Sequence, residues 1–139
     1  MIRKIFMLTR SLFVLSIFTC LSCKNEFKEA VKLRVTFIQP FTTVMLPVDC
    51  RSIDRMLDYS KRKQIVDQTF LKTFENELEN LKEKRVYQPI DVRIKILIDY
   101  ADNTDTLCLG EFFGVVYNGR SFEDDSRLLD LVKSKIYEE

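Results

Sequence analysis

Four cysteines, no histidine and two clusters of carboxylates define the chemistry open to this 139-residue chain. Cys20 and Cys23 have the Cys-x-x-Cys spacing of a redox pair, but that motif belongs beside a folded strand–helix–strand unit. Here it lies inside the apolar run "SLFVLSIFTCLSC". A structural zinc site takes four ligands, usually Cys and His. With no His and only Cys50 and Cys108 beyond the pair, no metal or cofactor is expected.

The missing His also removes His-dependent triads and zinc-activated water, and no Ser stands in a Gly-x-Ser-x-Gly turn. Carboxylate pairs work without His. Asp99, Asp102 and Asp105 gather at one turn and Glu123, Asp124 and Asp125 at another. Acid–base hydrolysis of the glycosidase kind therefore survives as one reading, with Asp99 and Asp102 as its carboxylates. It requires a concave pocket that brings them together away from bulk water. Turns and helix starts also favour acids at such positions, with no catalysis involved. Asp102, Asn103 and Asp105 offer hard oxygens for calcium, but the twelve-residue loop with its Gly and closing Glu is missing. The three glycines, Gly110, Gly114 and Gly119, run into Arg-Ser-Phe and not into a helix, so they make no phosphate cradle.

Charge is uneven along the chain. Of 22 basic residues, Arg3, Lys4 and Arg10 lie in the first 22 positions, which hold no acid, so residues 23–139 carry 19 basic against 21 acidic residues, a formal charge of −2. No basic field remains to hold nucleic acid, whose non-specific binding rests on clustered Lys and Arg. A cationic head, an uncharged apolar stretch from Ser11 to Cys23 and small residues at its exit have the order of a signal peptide. The stretch falls short of the about 20 apolar residues that cross a bilayer.

Leu21-Ser22-Cys23 resembles the lipobox of bacterial lipoproteins, with Cys20 standing where that motif usually has Leu. The resemblance covers the targeting segment alone. It implies removal of residues 1–22, a diacylglyceryl thioether on Cys23 and a new amino group open to fatty acylation, as by palmitate. Several chains at about 0.8 kcal/mol per buried methylene would hold the protein firmly to a membrane. The expected place is the bacterial cell envelope, on the periplasmic or outer-surface side. Exported chains meet oxidising conditions, so Cys50 and Cys108 are a candidate disulfide; the alternative is two free thiols buried as small hydrophobes.

Residues 23–30 read as a lipid-anchored tether and 31–139 as a single domain. "AVKLRVTFIQ" alternates with period two, as a half-buried strand does. "TTVMLPVDC" gives a second short strand, with Pro47 at an edge or bulge. "SIDRMLDY" suggests a helical turn, and a longer helix follows from Ser60 to Lys84, with Ile65, Phe70, Phe74, Leu78 and Leu81 as its stripe. Lys61, Arg62 and Lys63 oppose the dipole at its start. "IDVRIKILIDY" is the strongest strand, with Ile90, Val92, Ile94, Ile96, Ile98 and Tyr100 on one face. "TLCLGEFFGVVY" continues the sheet past a break near Gly110, and Asn118-Gly119 suits a type I′ hairpin turn. A closing helix, capped by Asp124 or Asp125, carries Leu128, Leu129, Val132 and Ile136. The expected fold is α+β, an antiparallel sheet covered by two helices in the order β-β-α-β-β-β-α.

"EFFGVVYNG" is apolar on both faces, with Phe113, Val115 and Tyr117 on one and Phe112 and Val116 on the other. Either the strand is buried on both sides, or Phe112, Val116 and Tyr117 contact a protein partner across an open sheet face. The reading that joins these signals is a lipid-anchored, non-catalytic binding module. Its alternatives are the carboxylate hydrolase and a structural piece of an envelope assembly.

Overall fold

The computed structural model describes residues 28–138, so Cys20, Cys23, the leader and the tether through Phe27 lie outside the described range. Strand β1 (Lys32–Ile38) keeps its alternation, burying Leu33, Val35 and Phe37 on one face. A 3₁₀ turn at Ser52–Arg55 stands where a helical turn is expected. Ser60–Ile65, expected to open a long helix, is instead strand β2, antiparallel to β1 from Leu33↔Ile65 to Ile38↔Ser60. Three consecutive cations would load positive charge onto a helix N-terminus; on an edge strand they reach water. "TTVMLPVDC", residues 42–50, is irregular loop, and the second strand starts at Ser60, 18 positions after Thr42.

Helix α1 (Gln68–Glu79) starts only after Asp67, whose Oδ1 accepts the backbone N–H groups of Thr69 and Phe70. That satisfies donors which a helix start leaves open. Strands β3 (Val92–Asp99), β4 (Thr104–Gly110), β5 (Val115–Tyr117) and β6 (Arg120–Phe122) follow, and Asp125 caps helix α2 (Ser126–Ile136). Asn118 and Gly119, at φ of 48° and 79°, form the expected tight turn. Their hairpin partner β6 adds a strand, so the order is β-β-α-β-β-β-β-α and not the five-strand order read from the sequence. The class stands as α+β: one antiparallel six-stranded sheet, β2-β1-β3-β4-β5-β6, with two helices.

The sheet has a core on each face. On one, Leu33, Val35, Ile94, Ile96, Ile98 and Leu107 pack against Phe70, Leu71 and Phe74 of α1 and Leu128, Leu129 and Val132 of α2. On the other, Ile38, Val92, Cys108 and Val116 lie beneath Val48 and Ile53 of the loop between β1 and β2. Val92 reaches this second core because a bulge between Val92 and Ile94 shifts the register against β4, turning it away from the face its alternation assigns. Cys50 and Cys108 are bridged, with Cα atoms 6.0 Å apart, and the bridge staples the loop to β4.

The folded body begins one residue earlier than expected. Ala30 is buried, and its N–H donates to Oε1 of Glu75 at 2.5 Å. Burial pushes the Glu75 carboxyl above its ordinary value, against the lowering effect of that bond. Among the described residues no helix is long and apolar enough to cross a membrane.

Candidate interaction surface

Strand direction gives the body two ends. β1 starts, β3 finishes and β4 starts at the end where residues 28–30, the last of the expected tether, enter; β1 finishes, β3 starts and β4 turns into β5 at the other. Seven residues of β1 separate them by about 23 Å. Away from the tether, large apolar side chains stand in water: Phe41 is 86% exposed, Met45 98%, Leu46 76%, Phe112 66% and Phe113 71%.

Two loops carry these residues, and both are tied down. Oε1 of Glu111 accepts the backbone N–H of Phe41 at 3.0 Å, joining the loop after β1 to the turn after β4. The Lys133 ammonium donates to the Glu111 carbonyl oxygen and lies 5.3 Å from the centre of the Phe112 ring. Arg93 donates to the Thr42 carbonyl oxygen at 2.9 Å, and Asp91 accepts from the Val48 N–H at 2.8 Å. Phe41 itself sits at φ 61°, left-handed backbone that a bulky residue rarely adopts. Strain of that kind persists only where surrounding structure imposes it, and it collects at sites that do something.

The turn between β4 and β5 is closed by the Gly110 N–H donating to the Gly114 carbonyl at 3.1 Å and by the Gly114 N–H donating to Asp124 Oδ1 at 2.7 Å. A Cβ on Gly110 would lie 2.0 Å from the Phe113 carbonyl oxygen. Gly110→Ala is therefore expected to cost about 1–3 kcal/mol and to displace Phe112 and Phe113. Denaturant unfolding, with amide spectra of the turn, checks both parts. Phe113 walls two hollows of about 300 and 170 Å³, each also lined by Gly114, Val115 and Asp124. Beside Met45 and Leu46 lies a groove of about 380 Å³, lined further by Val44, Pro47, Met56 and Tyr59.

The three expected contact residues part company. Phe112 is exposed, but in the turn after β4 and not on an open sheet face. Val116 is buried in the second core beside Cys108, because the stapled loop covers that part of the sheet; it is not a surface contact. Tyr117 is half-buried on the helix side, where its hydroxyl donates to Asp105 Oδ2 at 2.5 Å. Burial, then that carboxylate, push the Tyr117 phenol well above its ordinary value. Phe113, expected to point inward, is exposed, and so is Phe41, which no sequence pattern marks as a contact. The signal for Phe113 was Phe-Phe between two glycines, a turn and not a strand; Phe41 offered only its place after Pro40.

The two carboxylates expected to act together, Asp99 and Asp102, each face a cation instead, whereas Asp91 and Asp124 share the larger hollow beside Phe113. Arg34 grips Asp99 through both oxygens, at 2.7 and 2.8 Å, and Thr104 donates to it at 2.8 Å. The bond from Arg34, then Thr104 and the nearby charges, hold the Asp99 carboxyl at about 2 despite some desolvation, the opposite of the raised value a general acid uses. Asp102 stands exposed at the turn, 4.0 Å from the Lys28 ammonium. The oxygens considered for calcium are also engaged: Lys28 donates to Asn103 Oδ1, and the Asn103 amide and the Tyr117 hydroxyl donate to Asp105.

Because the folded value of Asp99 lies below its unfolded one, its contribution to stability is complete above about pH 4 and is lost as pH falls toward 2. Arg34→Met should flatten the stability profile across that window and leave its neutral slope unchanged. Unfolding midpoints measured from pH 2 to 7 would show it.

No protein-family model, curated protein or solved structure matches the chain.

Proposed function

We propose that this chain is a lipid-anchored protein of the bacterial cell envelope, held through acyl chains on Cys23, whose folded body is a non-catalytic binding module for a protein partner. The partner meets the end away from the tether. One observation carries the reading: five large apolar side chains are exposed at that end, on two loops cross-tied through Glu111 and stapled by a disulfide. Preorganised apolar surface lowers the ordering cost of association, and contiguous exposed apolar surface marks contact sites. Cys23 and Lys28 are five residue steps apart, a reach of about 18 Å at most, so an anchored body would stand close to its membrane with this end outward.

The test is a photocrosslinking amino acid placed at Phe112 in the native cell, with the same group at Asp102 near the tether as comparison. One discrete product is expected from position 112 and none from 102. The product should fall at least about fivefold when Phe41 and Phe113 become Ser, near 1 kcal/mol. Equal products from both positions, or an undiminished product in the double variant, would remove the apolar end as the site. The anchor is tested separately: Cys23→Ser should abolish incorporation of labelled palmitate and release the chain from the membrane fraction.

A further inference from the structure

The two edges of the sheet are treated differently. Along β6 the segment after α1 closes the edge: the Lys84 N–H donates to the Ser121 carbonyl at 2.8 Å, the Glu123 N–H donates to the Lys82 carbonyl at 2.8 Å, and Glu83 bridges to Phe122. Along β2, the opposite edge, no strand lies outside Ser60–Ile65 among the described residues. An open edge presents unpaired N–H and C=O groups that template pairing with another strand.

The side chains of β2 determine which strand that could be. Lys61, Arg62 and Gln64 are exposed, and Lys61 and Arg62 make no ion pair among the described residues. Lys63 is less free: no carboxylate among the described residues pairs with it, but its ammonium donates to the Lys135 and Glu138 carbonyls at 2.7 and 3.4 Å. On the same face as Arg62, Arg34 of β1 lies opposite Gln64 and is exposed, its charge paired with Asp99. Nearby acids are occupied elsewhere: Asp54 by Lys95, Asp67 by the start of α1 and by Lys135, Glu138 by Lys135; Asp58 precedes the strand. A second copy of β2 laid alongside would set cations against cations, which is unfavourable across a strand pair.

We propose that β2 is a docking edge for an acidic, extended peptide segment, which adds to the sheet as an outer strand. Backbone bonds to the edge supply affinity, and carboxylates facing Lys61, Arg62 and Lys63 supply selectivity. The same charges that bar self-association favour this occupant. The inference rests on the edge alone and stands apart from the apolar end.

The test uses the isotope-labelled full chain in a non-ionic detergent and three synthetic heptapeptides. The first is Ac-Thr-Val-Glu-Glu-Glu-Val-Thr-NH₂, whose adjacent carboxylates fall on both faces of an added strand, as Lys61 and Arg62 do; the second has Lys for each Glu; the third keeps Glu but is N-methylated at alternate residues. The acidic peptide should shift the amides of Ser60–Ile65, slow their hydrogen exchange, and bind at least about tenfold more tightly than the other two at low salt, as pairs with the exposed Lys61 and Arg62 and a strand of backbone bonds allow. Lys61→Glu with Arg62→Glu should reverse the preference toward the Lys peptide, and unchanged amides elsewhere would show the fold intact. Binding of the N-methylated peptide as tightly as the first would reduce the effect to charge and overturn strand addition. Shifts confined to other elements, or no binding, would overturn the proposal altogether.

Discussion

Replacing Cys50 and Cys108 together with Ala should lower stability by about 4 kcal/mol in the chain-entropy account. The bridge spans 58 residues and its Cα atoms are 6.0 Å apart, inside the range a disulfide accepts. Its loss frees the unfolded chain, and in the folded state it unfastens the loop that carries Val48 and Ile53 over Ile38, Val92 and Val116. Native proteins hold about 5–15 kcal/mol in all, so the double variant should unfold at much lower denaturant. Hydrogen exchange should show the loop losing protection before the helix face does. Phe41, Met45 and Leu46 ride on this loop, so crosslinking at the apolar end should weaken in parallel. A loss under about 1 kcal/mol would mean that the bonds from Asp91 and Arg93 hold the loop without the bridge. The reduced native chain, heavier by two hydrogens, should behave like the double variant.

Phe74→Ala should cost about 3–5 kcal/mol. Phe74 is fully buried at the centre of α1's inner face, with its ring stacked on Phe70 at a centroid distance of 6.4 Å. Both the lost transfer energy and the cavity left between helix and sheet contribute, since α1 is held at its start by Asp67 and cannot simply collapse inward. Urea unfolding followed by circular dichroism measures the loss. Exchange protection should fall first in α1 and α2, the reverse of the cysteine variant. Because the two cores share no member and lie on opposite faces of the sheet, the two losses should add to within about 0.5 kcal/mol. A markedly smaller combined loss would mean that the faces fold as one coupled core.

Much of the candidate surface was hidden in the sequence for identifiable reasons. Phe112 and Phe113 continue an alternating pattern, and only the close approach of Gly110 to Gly114 turns them both outward. Val116 looks like an open-face residue until a loop more than sixty positions earlier in the chain is stapled over it. Phe41 becomes part of the surface through a bond to Glu111, 70 residues away. The couplings of Val116 and Phe41 leave no local mark on residue type or spacing; that of Phe112 and Phe113 leaves only the two flanking glycines.

What the sequence determined by itself is what neighbours along the chain decide: the alternation of β1 and β3, the continuation of the sheet into β4, the helical stripes of α1 and α2, the Asp cap of α2, the Asn-Gly turn, the near balance of charge, and the α+β class they add up to. Those signals arise from side-chain periodicity and from backbone preferences within a few residues. The tertiary structure alone decided that Ser60–Ile65 pairs with β1, that a bulge turns Val92 to the second core, which edge is left open, and where the Phe residues meet water. Strand pairing and face assignment depend on register between distant segments, and a shift of one residue exchanges one face for the other.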